Sequence, residues 1–140
     1  MRVLAIDVGE RRVGLAISDA TGTLARPFTT LSVAPETALD RVVHEIAHLA
    51  AEDDGIAEIV VGLPVRLDGS PNDQTTRVSA FVEALRTRTA IPIRTADERL
   101  TSREAESRLA VTQRDWRKRK KGLDAAAASI FLQDYLDRQK

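Results

Sequence analysis

The sequence predicts an α/β fold with a mixed five-stranded sheet that carries helices on both faces. Three strand-like segments lead the chain, and the later strands alternate with helices. This order favours a three-strand meander followed by parallel strands that are joined by right-handed crossovers. The length of 140 residues suits one sizeable core, and no repeat or linker divides the chain. We therefore expect a single domain over residues 1–140.

The first strand is predicted in RVLAIDV at 2–8, where the nearly continuous apolar run indicates burial on both faces. A turn at Gly9 leads into a second strand at 13–18, so the pair should form an antiparallel hairpin. A third strand is predicted at 26–31. Because proline cannot donate a hydrogen bond to a neighbouring strand, Pro27 indicates that this strand lies at the sheet edge or begins later.

The rest of the chain shows helix and strand signals in turn. Pro35 suits the first turn of a helix whose apolar residues keep helical spacing to Ala50, and Gly55 is a natural stop. The sequence TSRE at 101–104 fits a capping box at the start of a later helix. The other predicted elements are strands at 59–61 and 91–93, and helices at 78–85, 101–109 and 123–136.

The composition excludes several classes of protein. The chain has no cysteine, which rules out disulfides, thiolate zinc sites and a cysteine nucleophile. It shows neither a signal-peptide pattern at its start nor an apolar run of membrane-spanning length. We therefore expect a cytoplasmic protein without a membrane partner.

Acidic residues stand where strands and helices meet. Asp7 lies in the buried first strand, where an ionised group costs free energy unless it is paired or binds a metal. Asp97 and Glu98 follow the fifth predicted strand, and Asp124 starts the last predicted helix. Because ligands bind outside the carboxyl ends of parallel strands, we expect these acids to converge there.

Each acid also has an ordinary structural explanation. Asp7 could be satisfied by the backbone of the turn that follows it. Asp124 would complement the dipole of a helix N-terminus, and Asp97 and Glu98 could pair with Arg99 or cap the next helix. Helix capping alone does not readily explain why three separate acids lie at the same end of the sheet. Carboxylates without histidine or thiolate suit Mg²⁺ or Mn²⁺, and two such ions can support a phosphoryl displacement.

A basic segment precedes Asp124, although the net charge of the whole chain is zero by count. Its residues are Arg114, Arg117, Lys118, Arg119, Lys120 and Lys121. Its position beside the acids favours binding of nucleic-acid phosphates over the ordinary alternative, a solvated surface loop. Arg12 and Arg66 are further candidates for such contacts. Trp116 could stack on a base or anchor the loop to the core.

The segment HEIAH at 44–48 matches the zinc-protease pattern H-E-x-x-H. Helical spacing places His44 and His48 on the face opposite the apolar residues, so both should point to solvent and away from the acids. They are the only histidines in the chain. We therefore do not expect a catalytic zinc.

The opening Asp-x-Gly with its hairpin is also found in actin-like kinases and chaperone ATPases. Those proteins close a second lobe over the nucleotide, and 140 residues leave no room for that lobe. The sequence therefore disfavours this class.

Spaced motifs that cover nearly the whole chain resemble the YqgF/RuvX family. They are AIDVG at 5–9 with RVGLAISD at 12–19, VGLP at 61–64 with DGS at 68–70, DERLT at 97–101, and KK at 120–121 followed by DAAA at 124–127. The resemblance implies an RNase H-like nuclease domain related to RuvC resolvases, with Asp7, Glu98 and Asp124 as the acidic triad. Arg66 and Ser102 depart from the usual family pattern, and neither departure concerns the three acids.

We therefore predict a divalent-metal-dependent endonuclease that acts on structured nucleic acid. Asp7 should anchor the metal pair, Glu98 and Asp124 should complete the ion shells, and Asp97 is a further candidate beside them. The resemblance implies processing of the 5′ end of precursor 16S rRNA, with Holliday junction resolution as the alternative. A third hypothesis is a non-catalytic module that docks on RNA or ribosomal partners. The sequence leaves open RNA or branched DNA, and a monomer or the homodimer that two symmetric cuts would need.

Overall fold

The sheet and helices occur in the predicted order. The computed structural model describes residues 1–64, 70–97 and 116–139, with the backbone alone for Asp97 and residues 116–124. The strands are β1 (Arg2–Val8), β2 (Arg12–Ser18), β3 (Ala25–Ser32), β4 (Ile56–Leu63) and β5 (Ile93–Asp97). The helices of the described parts are α1 (Pro35–Ala50), α2 (Asp73–Arg86) and α3 (Trp116–Arg138). None of these helices is long and apolar enough to cross a membrane.

The five strands form one mixed sheet in the order β3-β2-β1-β4-β5. The pairs β1–β2 and β2–β3 are antiparallel, whereas β1–β4 and β4–β5 are parallel. The predicted meander followed by parallel strands is therefore confirmed. The predicted edge position is confirmed as well, since Pro27 lies in β3 at one margin of the sheet.

Two apolar clusters cover the two faces of the sheet. Leu4 and Ile6 of β1 pack into the cluster formed with α1 and α2, whereas Val3 and Ala5 pack into the cluster formed with α3. Successive side chains of a strand point to opposite faces, which explains why one strand feeds both clusters. The predicted burial of β1 on both faces is confirmed. By the same alternation, Asp7 lies on the face that α3 covers.

The fifth strand is displaced from its predicted place. The predicted strand at 91–93 ends where β5 begins, at Ile93. Pro92 has no N–H to donate to the neighbouring strand, although its carbonyl accepts a hydrogen bond from the Ile59 N–H at 2.9 Å. Asp97 is consequently the last residue of β5, and the prediction that it follows the strand is wrong. The fourth strand is also longer than predicted, because β4 extends on both sides of 59–61.

The last helix begins earlier than predicted. The prediction placed its start at 123, whereas α3 begins at Trp116 and includes the basic residues. Arginine and lysine are good helix formers, but they carry no apolar spacing from which a helix could be recognised. Residues 117–121 therefore occupy the first turns of α3 and do not form the surface loop that was the alternative interpretation of this segment. The predicted helix at 101–109 lies outside the described residues.

Asp19 organises the turn between β2 and β3. Its carboxylate accepts hydrogen bonds from the Thr21 hydroxyl at 2.6 Å and from the backbone N–H groups of Thr23 at 2.8 Å and Leu24 at 3.1 Å. These hydrogen bonds, that of Thr21 foremost, lower the pKa of Asp19 from 3.8 to about 2. A lowered pKa stabilises the folded state above pH 3.8, and that stabilisation is lost as the pH falls towards about 2.

We expect Thr21→Val to raise the pKa of Asp19 towards its ordinary value, because the substitution removes the hydroxyl donor and preserves the side-chain shape. The measurement is a carbon-13 NMR titration of the Asp19 carboxyl in acid. Asp53→Asn, in the turn after α1, serves as the control and should leave this titration unchanged. A wild-type midpoint at the ordinary value would contradict the hydrogen-bonded turn.

Candidate active site

The carboxyl ends of three parallel strands meet at one edge of the sheet. Strand β1 ends at Val8, β4 at Leu63 and β5 at Asp97. The register pairs Ile6 of β1 with Val61 of β4, and Leu63 of β4 with Asp97 of β5. Two strand spacings, about 10 Å in total, therefore separate β1 from β5 at this edge. We call this end of the sheet the acidic edge, because Asp7 and Asp97 lie in the last residues of β1 and β5.

Asp7 lies where the burial of β1 changes. The five residues before it are buried, whereas Asp7 itself is half-buried. Its backbone is paired with Gly14 across the hairpin. The sequence pattern indicated a charge in the middle of a buried strand, but the half-exposed position lowers the cost of desolvating the carboxylate. Asp7 therefore remains reachable from solvent, as a metal ligand must.

Gly9 makes the turn that follows Asp7 possible. Its N–H donates to the carbonyl oxygen of Arg12 at 2.8 Å. A Cβ atom at Gly9 would lie 2.9 Å from the same oxygen, closer than real Cβ contacts. This turn also brings Arg12, the half-buried first residue of β2, to the acidic edge. Arg12 therefore stays a candidate for nucleic-acid contacts at this end of the sheet.

Helix α3 is fixed at the end of the sheet opposite the acidic edge. The Gln133 side chain donates to the Thr23 carbonyl at 2.9 Å and accepts from the Ala25 N–H at 2.8 Å. The Tyr135 hydroxyl donates to Glu58 Oε1 at 3.1 Å. These partners stand near the start of β1, because Ala25 pairs with Ser18, whose hydroxyl accepts from the Val3 N–H.

The direction of α3 brings Asp124 towards the acidic edge. Residue 124 precedes Gln133 by nine positions, which corresponds to about 14 Å along a helix. The path along β1 from Val3 to Asp7 covers about 13 Å. Ala128, one turn after residue 124, packs in the cluster that includes Ala5. The backbone of Asp124 therefore lies near the level of Asp7, on the face of the sheet to which Asp7 points.

The remaining candidates divide between described and undescribed residues. Glu98, Arg66 and Arg114 lie outside the described residues. The backbone of α3 carries Trp116 and the basic residues Arg117, Lys118, Arg119, Lys120 and Lys121 in the turns that precede Asp124. About 6 Å of helix separates Lys120 from Asp124. The structure thus keeps most of the basic segment beside the acidic edge, on the same helix as one predicted ligand.

The two histidines lie on the exposed face of α1, as predicted. Their ring centroids are 6.4 Å apart. Among the residues whose side chains are described, no three histidine, cysteine or acidic side chains are grouped so as to hold a metal ion. In this part of the structure His44 and His48 therefore lack the third protein ligand that a catalytic zinc needs.

An ion pair at the acidic edge was not predicted. Arg77 Nη2 of α2 lies 3.3 Å from Oε1 of Glu10, in the turn after β1. The two residues are separated by 67 positions in the chain, so no local pattern could indicate their contact. The pair places one positive and one negative charge near Asp7, and their electrostatic effects on it oppose each other.

The donor set at the acidic edge fits hard divalent cations. Asp7 and Asp97 lie at the carboxyl ends of the parallel strands β1 and β5, which flank β4, and the backbone of α3 brings Asp124 near the same end of the sheet. Carboxylate oxygens are the ligands that Mg²⁺ and Mn²⁺ prefer. The residues present therefore suit the ions that the sequence predicts.

Residues 1–138 match the family described as "RuvX: Holliday junction resolvase". A protein of Roseiflexus sp. (strain RS-1) with the name "Putative pre-16S rRNA nuclease" is 44% identical over 140 residues, which covers 99% of this chain and 96% of that protein. A protein of the same name from Chloroflexus aggregans is 42% identical over 138 residues and covers 99% of this chain and 94% of its own length.

The fold resembles solved structures of RuvC. RuvC of Thermus thermophilus in complex with a Holliday junction substrate aligns with a TM-score of 0.57 at 13% identity, covering 99% of this chain and 95% of that chain. A structure of T. thermophilus RuvC alone aligns with a TM-score of 0.52 at 14% identity, covering 99% and 96%. Similarity at this level of identity concerns the fold alone. The predicted RNase H-like fold is confirmed.

Proposed function

Because the chain belongs to the RuvX family, we propose that it is a divalent-metal-dependent endonuclease that trims the 5′ end of precursor 16S rRNA. The observation that supports the proposal is the acidic edge, at which β1 with Asp7 and β5 with Asp97 end and towards which the backbone of α3 with Asp124 runs. The names of the relatives favour ribosomal RNA as the substrate.

The acids would divide the work of holding metal. We assign Asp7 as the anchor of a pair of Mg²⁺ or Mn²⁺ ions, with Glu98 and Asp124 each completing one shell and Asp97 beside them. When bound, such ions activate a water molecule and stabilise the leaving oxygen of the phosphodiester. Asp7 contributes a fixed position, since its strand is central in the sheet and packed on both faces.

The basic residues would hold the substrate backbone. Residues 117–121 lie in successive positions of α3, so they distribute cations around the helix rather than along one face. Arg12 supplies another cation from the hairpin on the other side of Asp7. Contacts of this kind position the phosphates without reading the sequence. The scissile phosphate would be drawn to the acidic edge from both sides.

The experiment compares cleavage of two substrates side by side. One is a precursor 16S rRNA fragment with its 5′ extension, and its matched control is the same fragment without the extension. The other is a four-way DNA junction, and its matched control is a linear duplex with the same arm sequence. Each is incubated with Mg²⁺ or with Mn²⁺, with wild type and with Asp7→Asn.

We expect the 5′ extension to be removed by the wild-type protein and to persist with Asp7→Asn. Paired symmetric nicks in the junction, absent with Asp7→Asn, would instead support the Holliday junction resolvase that the family description names. If either substrate were bound but not cleaved with both metals, the endonuclease proposal would be contradicted, and the hypothesis of a non-catalytic docking module would be supported.

A further inference from the structure

A cavity of about 340 Å³ opens at the acidic edge, between the turn after β1 and the helices α1 and α2. Val8, Gly9 and Glu10 line it from the turn, and α2 contributes Gln74, Arg77 and Phe81 among other residues. The volume falls in the range of small-ligand sites. No residue of this cavity belongs to the proposed acidic triad or to the basic segment.

The cavity is adjacent to the proposed catalytic centre but on the other face of the sheet. Val8 directly follows Asp7, so their Cα atoms are about 3.8 Å apart. Asp7 lies on the face covered by α3, whereas Val8 packs against the cluster of α1 and α2. A nucleic-acid strand with its scissile phosphate at Asp7 therefore reaches the cavity by continuing over the sheet edge.

The lining of the cavity suits a flat, uncharged ligand with a polar rim. Val8, Ala80 and Phe81 provide apolar surface, and the amide of Gln74 offers both a hydrogen-bond donor and an acceptor. The charges of Glu10 and Arg77 cancel in their ion pair. A neutral lining of this kind gives no net attraction to a phosphate. Apolar faces and a hydrogen-bonding edge are the features of a nucleobase.

We propose that this cavity binds one unstacked base of the nucleic-acid substrate, beside the cleaved bond. The inference rests on the proposed function, because it takes the substrate strand at Asp7 as its starting point. Stacking of a base on an aromatic side chain strengthens single-strand binding, and an unstacked base exposes its edge for hydrogen bonds. If the cavity takes a base, the substrate carries an unpaired nucleotide next to the cut.

The test scans the substrate with abasic nucleotides. Each position flanking the cleavage site of the RNA fragment is replaced in turn, and binding is measured with Asp7→Asn so that the RNA stays intact. We expect one position to weaken binding about tenfold and its neighbours to have little effect. The same position should lower the cleavage rate of the wild-type protein.

Two leucine substitutions on α2 form a matched pair. Ala80 is exposed and lines the cavity, so Ala80→Leu fills part of the cavity. Ser79 is also exposed but does not line the cavity, so Ser79→Leu adds the same side chain outside the cavity. We expect Ala80→Leu to weaken binding of the intact RNA about tenfold and to remove the sensitivity to the abasic position, because the two changes delete one interaction. Ser79→Leu should retain the wild-type profile.

A measurement without the RNA separates this inference from the proposed function. Adenosine or uridine alone should shift the NMR signals of the Gln74 side-chain amide and the Phe81 ring in wild type and in Ser79→Leu, but not in Ala80→Leu. Base binding without any cleavage would support the cavity and contradict the nuclease. Cleavage that is equally tolerant of an abasic nucleotide at every position, with no nucleoside-induced NMR shifts, would contradict base binding in the cavity but not the nuclease activity. If Ala80→Leu only converted a dimer to a monomer in light scattering, a second copy would cover the cavity, and the base would be excluded.

Discussion

Asp7→Asn should lower the rate of cleavage by about a thousandfold or more while the protein remains folded. The amide preserves the size of the side chain but removes the charge that would anchor the metal pair. Loss of about 4 kcal/mol of transition-state stabilisation corresponds to roughly this factor. The measurement is single-turnover cleavage at saturating Mg²⁺ or Mn²⁺, with the fold checked by circular dichroism.

Asp53→Asn is the matched control for Asp7→Asn. It removes an acid of the same size from the exposed turn after α1, at the opposite end of the sheet. Cleavage by Asp53→Asn should equal that of wild type. Binding of Mn²⁺ to the folded state should raise the melting temperature of wild type and Asp53→Asn, but not that of Asp7→Asn. An unchanged cleavage rate in Asp7→Asn would remove this acid from the reaction.

The sheet was predictable because its signals are local and redundant. Residues 2–8 form an apolar run around one acid, Gly9 marks the turn, and Pro27 favours an edge position for the third strand. Each of these patterns is short, and each depends on backbone chemistry rather than on distant contacts. The errors concern boundaries. Without a donor at Pro92, strand β5 begins late, and Asp97 becomes part of the strand.

The helical state of the basic segment was not predictable from apolar spacing. Residues 117–121 contain no apolar side chain, so they resemble a solvated loop as closely as a helix. The helical state has a consequence for function. In a loop, the cations would be positioned independently of Asp124, but in α3 they share one rigid element with it. The distance from the cations to the proposed metal ligand is therefore set by the helix.

Two features of the site depend on contacts that the sequence order conceals. The Glu10–Arg77 ion pair joins residues 67 positions apart, and the cavity behind it needs α1, α2 and the turn after β1 in place. The anchoring of α3 by Gln133 is similarly non-local, since its partner Ala25 is 108 positions away. Sequence motifs could indicate which acids matter. Only the fold indicates what surrounds them.

The anchor of α3 and the acidic edge lie at opposite ends of the same sheet. Gln133 and Tyr135 fix the last turns of the helix, and the alanines at 125, 127 and 128 are buried, with Ala128 in the cluster that packs on the sheet. Small side chains allow the helix to approach the strands, so the first turns, with the basic residues and Asp124, extend to the acidic edge. The fold thus places the proposed substrate-binding and metal-binding residues on a helix that is anchored at its other end.

A second fixed point of the fold is Arg2, at the start of β1. This arginine is 8% exposed, and its guanidinium donates to the carbonyl oxygens of Leu49 at 3.0 Å and Gly55 at 3.1 Å. It also pairs with Glu52 Oε1 at 2.9 Å. The Leu49 carbonyl is among the last of α1 and also accepts from the Glu52 N–H at 3.2 Å, so Arg2 supplies its second donor. One buried cation therefore closes the C-terminus of α1 and fastens it to the central strand.

We expect Arg2→Met to lower the free energy of unfolding by about 3 kcal/mol. Methionine fills most of the space, but it removes the donor that Arg2 supplies to the buried Gly55 carbonyl, and a buried unsatisfied group costs about 1–3 kcal/mol. The Leu49 carbonyl keeps the Glu52 N–H and loses only its hydrogen bond to Arg2, which is worth about 1 kcal/mol. The measurement is equilibrium denaturation in urea, in which the midpoint should fall while the slope is unchanged.

Two comparisons isolate the cause of that loss. Arg88→Met removes another arginine that bridges distant segments, but its side chain is 43% exposed and its partner Asp40 is 70% exposed, so the loss should stay below about 1 kcal/mol. Glu52→Gln keeps both carbonyl hydrogen bonds of Arg2 and weakens only the pair to a half-exposed carboxylate, and it should also cost less than about 1 kcal/mol. If Glu52→Gln destabilised the protein as much as Arg2→Met, the ion pair rather than the carbonyl hydrogen bonds would fasten α1. If all three variants were equally mild, the buried guanidinium would contribute no more to stability than an exposed one.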